Sequence, residues 1–495
     1  MQHNLSRRTF LNHSAFGLAA AAVTAGLSCD PGNEQSQKPE KPNFVFILID
    51  DMGWRDLTCY GSSFFKTPNI DRLASQGMKF TDAYAAAPIC SPTRASLMTG
   101  KYPARLRITD WIKGFDFPKA KLKIPNWTKE LGIGETTIAE MLKKEGYVSA
   151  NIGKWHLGDK GLWPEDQGFD VNLAGYHAGL PPSYFYPYEN PEAYFGNKAI
   201  PNLPGGKEGE YLTDRLTDEA LKFIEDNRDN PFFLYLSHYA VHTPIQAKEE
   251  KITKYEASAD PETEQYNAIY AAMIESVDEG VGRIMDRLDE LNVSDNTVII
   301  FVSDNGGLLG FDRWPHITSN KPLRGGKGTQ YEGGVRVPMI VRWPGVVKEG
   351  SVCHTPVIST DFFPTLAEMA GVENSSYHID DGTSIMPLLK QESGFDREAV
   401  YFHFPHYNPV GATPYSAVRK GDYKLIQYYE DDSIELFNLK DDIGETINLS
   451  ESMSEKASEL QEMLAVWLDH VNAQIPEANP AYEGGESLGQ WILAD

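Results

Sequence analysis

Cys90 heads the run Cys90-Ser91-Pro92-Thr93-Arg94-Ala95-Ser96-Leu97-Met98-Thr99-Gly100, in a chain of 495 residues with only four cysteines. Pro92 suits the first turn of a helix, so Ser91 to Met98 is expected to be helical. A nucleophile at that start sits near the positive end of the helix dipole, which favours an anionic group. Arg94 is one turn further on, where a guanidinium can stabilise a charged nucleophile and bind anionic oxygens. Singly, these residues have plainer readings: a free cysteine is most often a small buried hydrophobe, and an arginine a surface ion-pair partner.

Other segments place polar groups directly after apolar runs. Asp50-Asp51 follow Asn43-Phe44-Val45-Phe46-Ile47-Leu48-Ile49, and Asp304-Asn305 follow Ile299-Ile300-Phe301-Val302-Ser303. Oxygen-only ligands of this kind favour Ca²⁺ or Mg²⁺ over zinc. Lys154 and His156 stand two apart in Gly153-Lys154-Trp155-His156-Leu157-Gly158, so in an extended segment both point the same way. His238 and His242 follow another apolar run, and Lys327 sits in Gly326-Lys327-Gly328-Thr329-Gln330-Tyr331-Glu332-Gly333-Gly334. Ligands of open α/β sheets bind beyond the carboxyl ends of strands, which is where these groups fall.

The Cys90 run resembles the sulfatase signature Cys-x-Pro-x-Arg-x4-Thr-Gly. Gly153-Lys154-Trp155-His156, His242-Thr243-Pro244 and the Lys327 segment resemble further segments of the same family. Such matches run from Asn43 to about Pro344, with more likeness from Asp361 to Leu389 and in Lys420-Gly421-Asp422-Tyr423-Lys424-Leu425. The chain thus resembles type I, formylglycine-dependent sulfatases of the alkaline phosphatase superfamily, most of all bacterial carbohydrate sulfatases. The resemblance implies that a modifying enzyme oxidises Cys90 to formylglycine, whose hydrate attacks sulfur. It implies one Ca²⁺ held by Asp50, Asp51, Asp304, Asn305 and residue 90. Arg94, Lys154 and Lys327 would then stabilise sulfate charge, His242 protonate the leaving sugar oxygen, and His156 accept the proton of the second hydroxyl. The implied substrate is a sulfated carbohydrate, with sulfated galactose or N-acetylgalactosamine the expected sugars. His177, His316, His406 and Asn408 are candidate sugar contacts, and the aromatic cluster Tyr176, Tyr184, Phe185, Tyr186, Tyr188 and Tyr194 can either stack on sugars or pack. A phosphonate or phosphodiester hydrolase of the same superfamily is the nearest rival. A non-catalytic lipoprotein that binds sulfated glycans is another, although binding alone requires neither a nucleophile nor an acid.

These side chains need a scaffold. The continuous apolar run at Asn43 to Ile49 reads as a buried strand, and further apolar strands are expected at Tyr147 to Ile152, Phe232 to Leu236, Thr297 to Val302 and Val337 to Val341. Helical stretches at Thr67 to Ala74, Thr137 to Glu145, Leu212 to Glu225 and Tyr266 to Leu291 alternate with them. The pattern predicts an α/β fold with a mostly parallel central sheet covered by helices on both faces, alkaline phosphatase-like by the resemblance. Near residue 390 it changes to short antiparallel strands at Tyr415 to Arg419, Tyr423 to Tyr428 and Ser433 to Phe437, closed by a helix from Glu455 to Val471. The expected division is a signal at 1–29, a tether at 30–41, a catalytic domain at 42–390 and a smaller C-terminal subdomain at 391–495.

The N-terminus reads as an export signal. Ser6-Arg7-Arg8-Thr9-Phe10-Leu11 fits the twin-arginine pattern, and the apolar stretch from Ala15 to Leu27 is too short to span a bilayer. Gly26-Leu27-Ser28-Cys29 resembles a lipoprotein cleavage box, so export machinery is an expected partner and Cys29 an expected lipid site. The expected location is the periplasm, or a membrane-anchored lipoprotein facing the periplasm or cell surface. The net charge of -25 argues against nucleic-acid binding, which needs a basic footprint. It also repels an anionic substrate, so a sulfate site has to be a local basic pocket. With Cys29 lipidated and Cys90 converted, Cys59 and Cys353 remain, as a disulfide or as two separate thiols.

Overall fold

Asn43–Ile49 (β1) is buried at every position, which requires a strand covered on both faces. The structure is a computed structural model and describes residues 41–193, 197–310, 316–373 and 380–484, with the backbone of Ile492–Leu493. The signal at 1–29 with Cys29, the tether up to residue 40, and Tyr194 lie outside the described residues.

β1 lies inside a nine-stranded sheet. The other strands are β2 (Met78–Tyr84), β3 (Val148–Gly153), β4 (Val171–Leu173), β5 (Phe232–Ser237), β6 (Thr297–Ser303), β7 (Arg336–Arg342), β8 (Ser351–Cys353) and β9 (Val357–Ile358). Their order is β8-β2-β7-β6-β1-β5-β3-β4, with β9 also paired to β2. The sheet is mostly parallel, as the sequence predicts. β7 is the exception, running antiparallel to both β2 and β6.

The helices that flank it are α1 (Pro68–Ser75), α2 (Cys90–Thr99), α3 (Ile138–Lys144), α4 (Leu212–Asp226), α5 (Ala268–Glu290) and α6 (Phe362–Met369). Side chains alternate across a strand, so Val45, Ile47 and Ile49 face one layer and Phe44, Phe46 and Leu48 the other. The first set packs with α1, α4 and α5, the second with α2, α3 and α6. Local chemistry sets the helix starts. Thr137 and Glu140 form a reciprocal capping box at α3 (3.1 and 2.9 Å). Asn267 takes the Tyr270 N–H at 3.0 Å, so α5 begins at Ala268 rather than at Tyr266. Thr67 precedes Pro68 of α1, but its hydroxyl accepts the Thr58 N–H at 2.9 Å instead of capping the helix.

A separate antiparallel sheet contains β10 (Val400–Phe404), β11 (Tyr415–Lys420), β12 (Tyr423–Tyr428) and β13 (Ile434–Asn438) in that order. Leu460, Leu464 and Trp467 of α7 (Ser454–His470) belong to its apolar cluster, and so do Ile89 and Cys90. The second sheet therefore abuts the start of α2.

Candidate active site

Strand register brings the polar groups together. Ile49 of β1 pairs with Ser303 of β6, and Leu48 with Ser237 of β5. Gly153 of β3 pairs with the same Ser237. The next residues on four neighbouring strands, Asp50, Asp304, Lys154 and His238, therefore emerge side by side. Backbone bonds keep the register past the strand ends: Asp304 N–H to Ile49 O at 3.0 Å, His238 N–H to Leu48 O at 2.9 Å, and Lys154 N–H to Ser237 O at 2.7 Å.

The carboxylates meet a matching set of cations. Lys154 Nζ donates to Asp50 Oδ2 at 2.7 Å with both side chains fully buried. Lys327 Nζ reaches both oxygens of Asp51, at 2.7 and 2.8 Å. Arg94 lies four residues into α2 from Cys90, and its Nε and Nη2 both meet Asp304 Oδ2 at 2.8 Å. Its Nη1 donates to Ser237 Oγ at 2.6 Å and to the Lys154 carbonyl at 3.1 Å. The sequence expectation aimed Arg94 at the nucleophile and at sulfate oxygens. Its guanidinium is wholly buried, holds Asp304, lies with Nη2 3.8 Å from Asp50 and interacts electrostatically with Cys90, so it positions carboxylates beside the nucleophile.

Some oxygens are left over. Asp50 Oδ1 and Asn305 Oδ1 are buried without a hydrogen-bond partner among the described residues, a state that costs free energy unless something else binds them. Asn305 Nδ2 donates to Asp51 Oδ1 at 2.9 Å, which turns its own oxygen free. Ligand atoms of Asp50, Asp51 and His242 lie within 4.8 Å of one another. Orphaned, hard oxygen donors fit a hard divalent cation. Burial, with Asp304 and Asp51 adding to it, pushes the Asp50 carboxyl well above its usual range. Burial acts on Asp51 in the same direction, but Lys327, then His242 and Lys154, outweigh it and hold that carboxyl low. Three carboxylates against three cations leave the metal-free cluster near neutrality. A divalent cation makes it positive, which suits an anionic substrate.

Cys90 is the first residue of α2, and its thiol is pushed up by burial while Lys154 and Lys327 pull the other way and Asp50 and Asp304 add to the rise. His156 Nδ1 stands 3.4 Å from Cys90 Sγ, and its Nε2 hydrogen-bonds the Ile112 carbonyl. A carbonyl only accepts, so the proton is on Nε2 and Nδ1 turns a bare lone pair to residue 90. Burial and then the Lys154 charge keep this ring neutral. The segment from Lys154 is not extended, because His156 has a φ of 61°. Lys154 and His156 instead approach the site on different partners. His242 is the mirror case: Nδ1 donates to the Thr243 carbonyl at 2.8 Å and Nε2 faces Asp51 Oδ2 at 3.5 Å. Burial and Lys327 pull its value down to about 3.

The expected sugar contacts separate. His177 is exposed, on the segment whose Tyr176 carbonyl accepts the His156 N–H at 3.0 Å. Asn408 packs on Gly328, where a Cβ would come within 2.9 Å of its amide, and so lies beside Lys327. His406 is buried, bonded to Thr109 Oγ1 at 2.8 Å and 4.0 Å from Asp110; it faces the interior, not a sugar. His316 is exposed, and among the described residues no contact joins it to the catalytic groups. Tyr176, Tyr184 and Tyr188 are buried and therefore pack. Cys59 and Cys353 are separate free thiols. Sequence reasoning missed Ser237, Gly179 and the Ile112 carbonyl. Only Ser237, a polar residue ending an apolar strand, carried a signal.

A nucleophile position flanked by a carboxylate–cation cluster, at the carboxyl end of a mostly parallel sheet, is the arrangement of a hydrolase of anionic esters with an alkaline phosphatase-like fold, and its acidic groups fit a divalent cation. The "Sulfatase" family model matches residues 42–372, and "N-sulphoglucosamine sulphohydrolase, C-terminal" matches 326–474. A "Sulfatase" of Formosa agariphila is 35% identical, over 91% of this chain and 94% of its own. Human N-acetylgalactosamine-6-sulfatase is 35% identical over 75% and 70%. The crystal structure of Ps i-CgsB, also seen with k-i-k-neocarrahexaose, superposes with a TM-score of 0.73 at 32% identity over 90% of this chain and 95% of that one. The chain belongs to the sulfatase family. It is a sulfuric ester hydrolase.

Proposed function

We propose that residue 90 works as formylglycine beside one Ca²⁺, and that the sulfate removed is carried by galactose or N-acetylgalactosamine. The observation that carries this reading is the bare Nδ1 of His156 at 3.4 Å from the residue-90 side chain, next to the orphaned oxygens of Asp50 and Asn305. Asp50, Asp51, Asp304 and Asn305 would hold the cation, which supplies Lewis-acid polarisation of the sulfate oxygens. The hydrated aldehyde would supply one hydroxyl to attack sulfur and a second whose deprotonation would release sulfate and regenerate the aldehyde.

The chain's own residues do the rest. Arg94 holds Asp304 and Asp50 in place from below. Lys154 and Lys327 present fixed positive charge to the transferring group, preorganised stabilisation that often dominates catalysis. His156 Nδ1 takes the proton from the residue-90 hydroxyl that lies against it. His242 has only Nε2 open, so that atom takes up a proton from solvent when the substrate binds and passes it to the leaving sugar oxygen. The ring is neutral in the free site, and the negative charge of bound sulfate raises its proton affinity. N-acetylgalactosamine is supported by the name of the human relative, and a carbohydrate substrate by the neocarrahexaose complex of Ps i-CgsB. Residues 1–29 support export with a lipid on Cys29.

Peptide mass spectrometry of residue 90, after expression with a formylglycine-forming enzyme, tests the reading together with sulfate release from defined sulfated sugars. Aldehyde at position 90 with sulfate released from a sulfated galactose or N-acetylgalactosamine is expected. Equal turnover by a preparation carrying only the thiol, or by Cys90→Ser, would refute it. A Cys29→Ala variant should leave the membrane fraction.

A further inference from the structure

A cleft of about 560 Å³ opens on the two segments that carry Asp51 and Lys327, lined among others by Arg55, Glu264, Lys321, Arg324 and Thr446. Arg55 is four residues past Asp51, and Arg324 is three before Lys327. An extended chain spans at most about 3.6 Å per residue, so those Cα atoms lie within roughly 14 and 11 Å of the catalytic ones. The two segments are packed together. A Cβ on Gly53 would come within 2.4 Å of Asn320 Oδ1, and Asn320 Nδ2 donates to the Gly307 and Gly325 carbonyls at 2.9 and 3.1 Å. Arg55 Nη1 donates to the Lys321 carbonyl at 3.0 Å.

The charge of this cleft is the reverse of the molecule's. Glu264 pairs with Arg55 at 2.7 Å and lies 3.7 Å from Lys321. Glu445 contributes its carbonyl, accepting Arg324 Nη1 at 2.9 Å. Its carboxylate is turned inward, to Lys424 Nζ at 2.8 Å and to the Glu332 N–H at 2.7 Å. Three cations therefore share one carboxylate at the cleft, on a chain whose net charge is -25. Arg324 is held with its guanidinium 3.7 Å over the Tyr331 ring, which fixes its direction. Its Nε and Nη2 have no partner among the described residues, and neither does Arg55 Nη2.

We propose that this cleft is a subsite for a second sulfate ester, on a sugar neighbouring the one being desulfated. The proposal rests on hydrolysis of sulfate esters on glycans and adds to it a preference for multiply sulfated chains. Arginine forks match the oxygens of such oxyanions, and the chain holds them within roughly 14 Å of the Asp51 Cα and 11 Å of the Lys327 Cα, separations that two or three sugar units cover.

The test compares the Lys321→Ala/Arg324→Ala double variant with the parent. kcat and KM are measured on a multiply sulfated galactan oligosaccharide and on a monosulfated monosaccharide of the same sugar. Calorimetry gives the Kd of the same oligosaccharide for Cys90→Ala with and without the double change. Each exposed charge contact is worth a few-fold in affinity, so KM and Kd for the oligosaccharide should rise about tenfold. kcat and the monosaccharide KM should stay unchanged, and the Kd difference should shrink in high salt. An equal rise of KM on the monosaccharide, or an unchanged or undetectable oligosaccharide Kd, overturns the subsite. If the parent releases no sulfate from either sugar while the Kd shift appears, the hydrolysis reading falls and the subsite stands.

Discussion

His156 owes its position to a residue with no side chain. A Cβ on Gly179 would lie 2.4 Å from the imidazole Cε1 and 2.7 Å from Nδ1, too close for any real contact, and the ring is tethered on its far side to the Ile112 carbonyl. Gly179→Ala must therefore push Nδ1 away from residue 90. A displacement near 1 Å can cost about a hundredfold, so kcat should fall by one to two orders of magnitude with the melting temperature little changed; full activity would remove His156 from the proton path. Lys154→Met acts on stability instead. It strands the Asp50 carboxylate, which is completely buried, and breaking one side of a buried pair costs about 3–5 kcal/mol. Urea unfolding should show that loss, and added Ca²⁺ should raise the variant's melting temperature more than the parent's, because the cation replaces the missing charge. The sequence displayed most of these groups, since each carboxylate or histidine follows an apolar run. It did not display the target of Arg94, which lies 210 positions along the chain, or the space demanded at Gly179, which has no pattern in one dimension.

Between residues and molecule stands the segment 109–112, which joins the second sheet to the catalytic histidine. Thr109 holds His406 after β10, Ile112 N–H donates to Ser91 Oγ at 3.0 Å, and its carbonyl fixes His156. Asp110 is buried within this link, and its carboxyl is pushed up to about 8 by burial against backbone N–H groups that pull the other way. An unfolded aspartate titrates near 4, so between the two values the folded chain keeps a proton that the unfolded chain has released. The stability this gives is complete below pH 4 and is lost as pH rises through 8, at up to about 1.4 kcal/mol per unit. Urea midpoints from pH 5 to 8 should fall less steeply for Asp110→Asn than for the parent; parallel slopes would show that Asp110 is ionised in the fold. No sequence signal marked this link. In the central sheet the sequence showed β1, β3, β5, β6 and β7, whose residues are mostly apolar. β2 reads Met-Lys-Phe-Thr-Asp-Ala-Tyr and is partly exposed, and β10 includes a histidine, so neither announced itself. The antiparallel direction of β7 is set by its pairing with β2 and β6, which local propensity does not encode.

At the scale of the whole molecule two fields oppose each other. The chain carries -25 in total, while the catalytic cluster is near neutral by itself and positive once it holds a divalent cation, and the cleft of Arg55, Lys321 and Arg324 sets three cations against one carboxylate. The repulsion is long-ranged and acts through solvent; the attraction acts at contact and is partly buried. Salt screens the first far more than the second, since the Debye length drops from about 30 Å at 0.01 M to about 10 Å at 0.1 M. An enzyme steered by its overall field loses association rate with salt; this one should gain it. kcat/KM for a sulfated oligosaccharide is expected to rise severalfold as NaCl goes from about 10 to 100 mM and then to fall as the contact pairs are screened in turn. A monotonic fall from the lowest salt would mean that the basic pocket projects its field beyond the acidic surface, and that the acidity around it is too distant from the mouth to be felt.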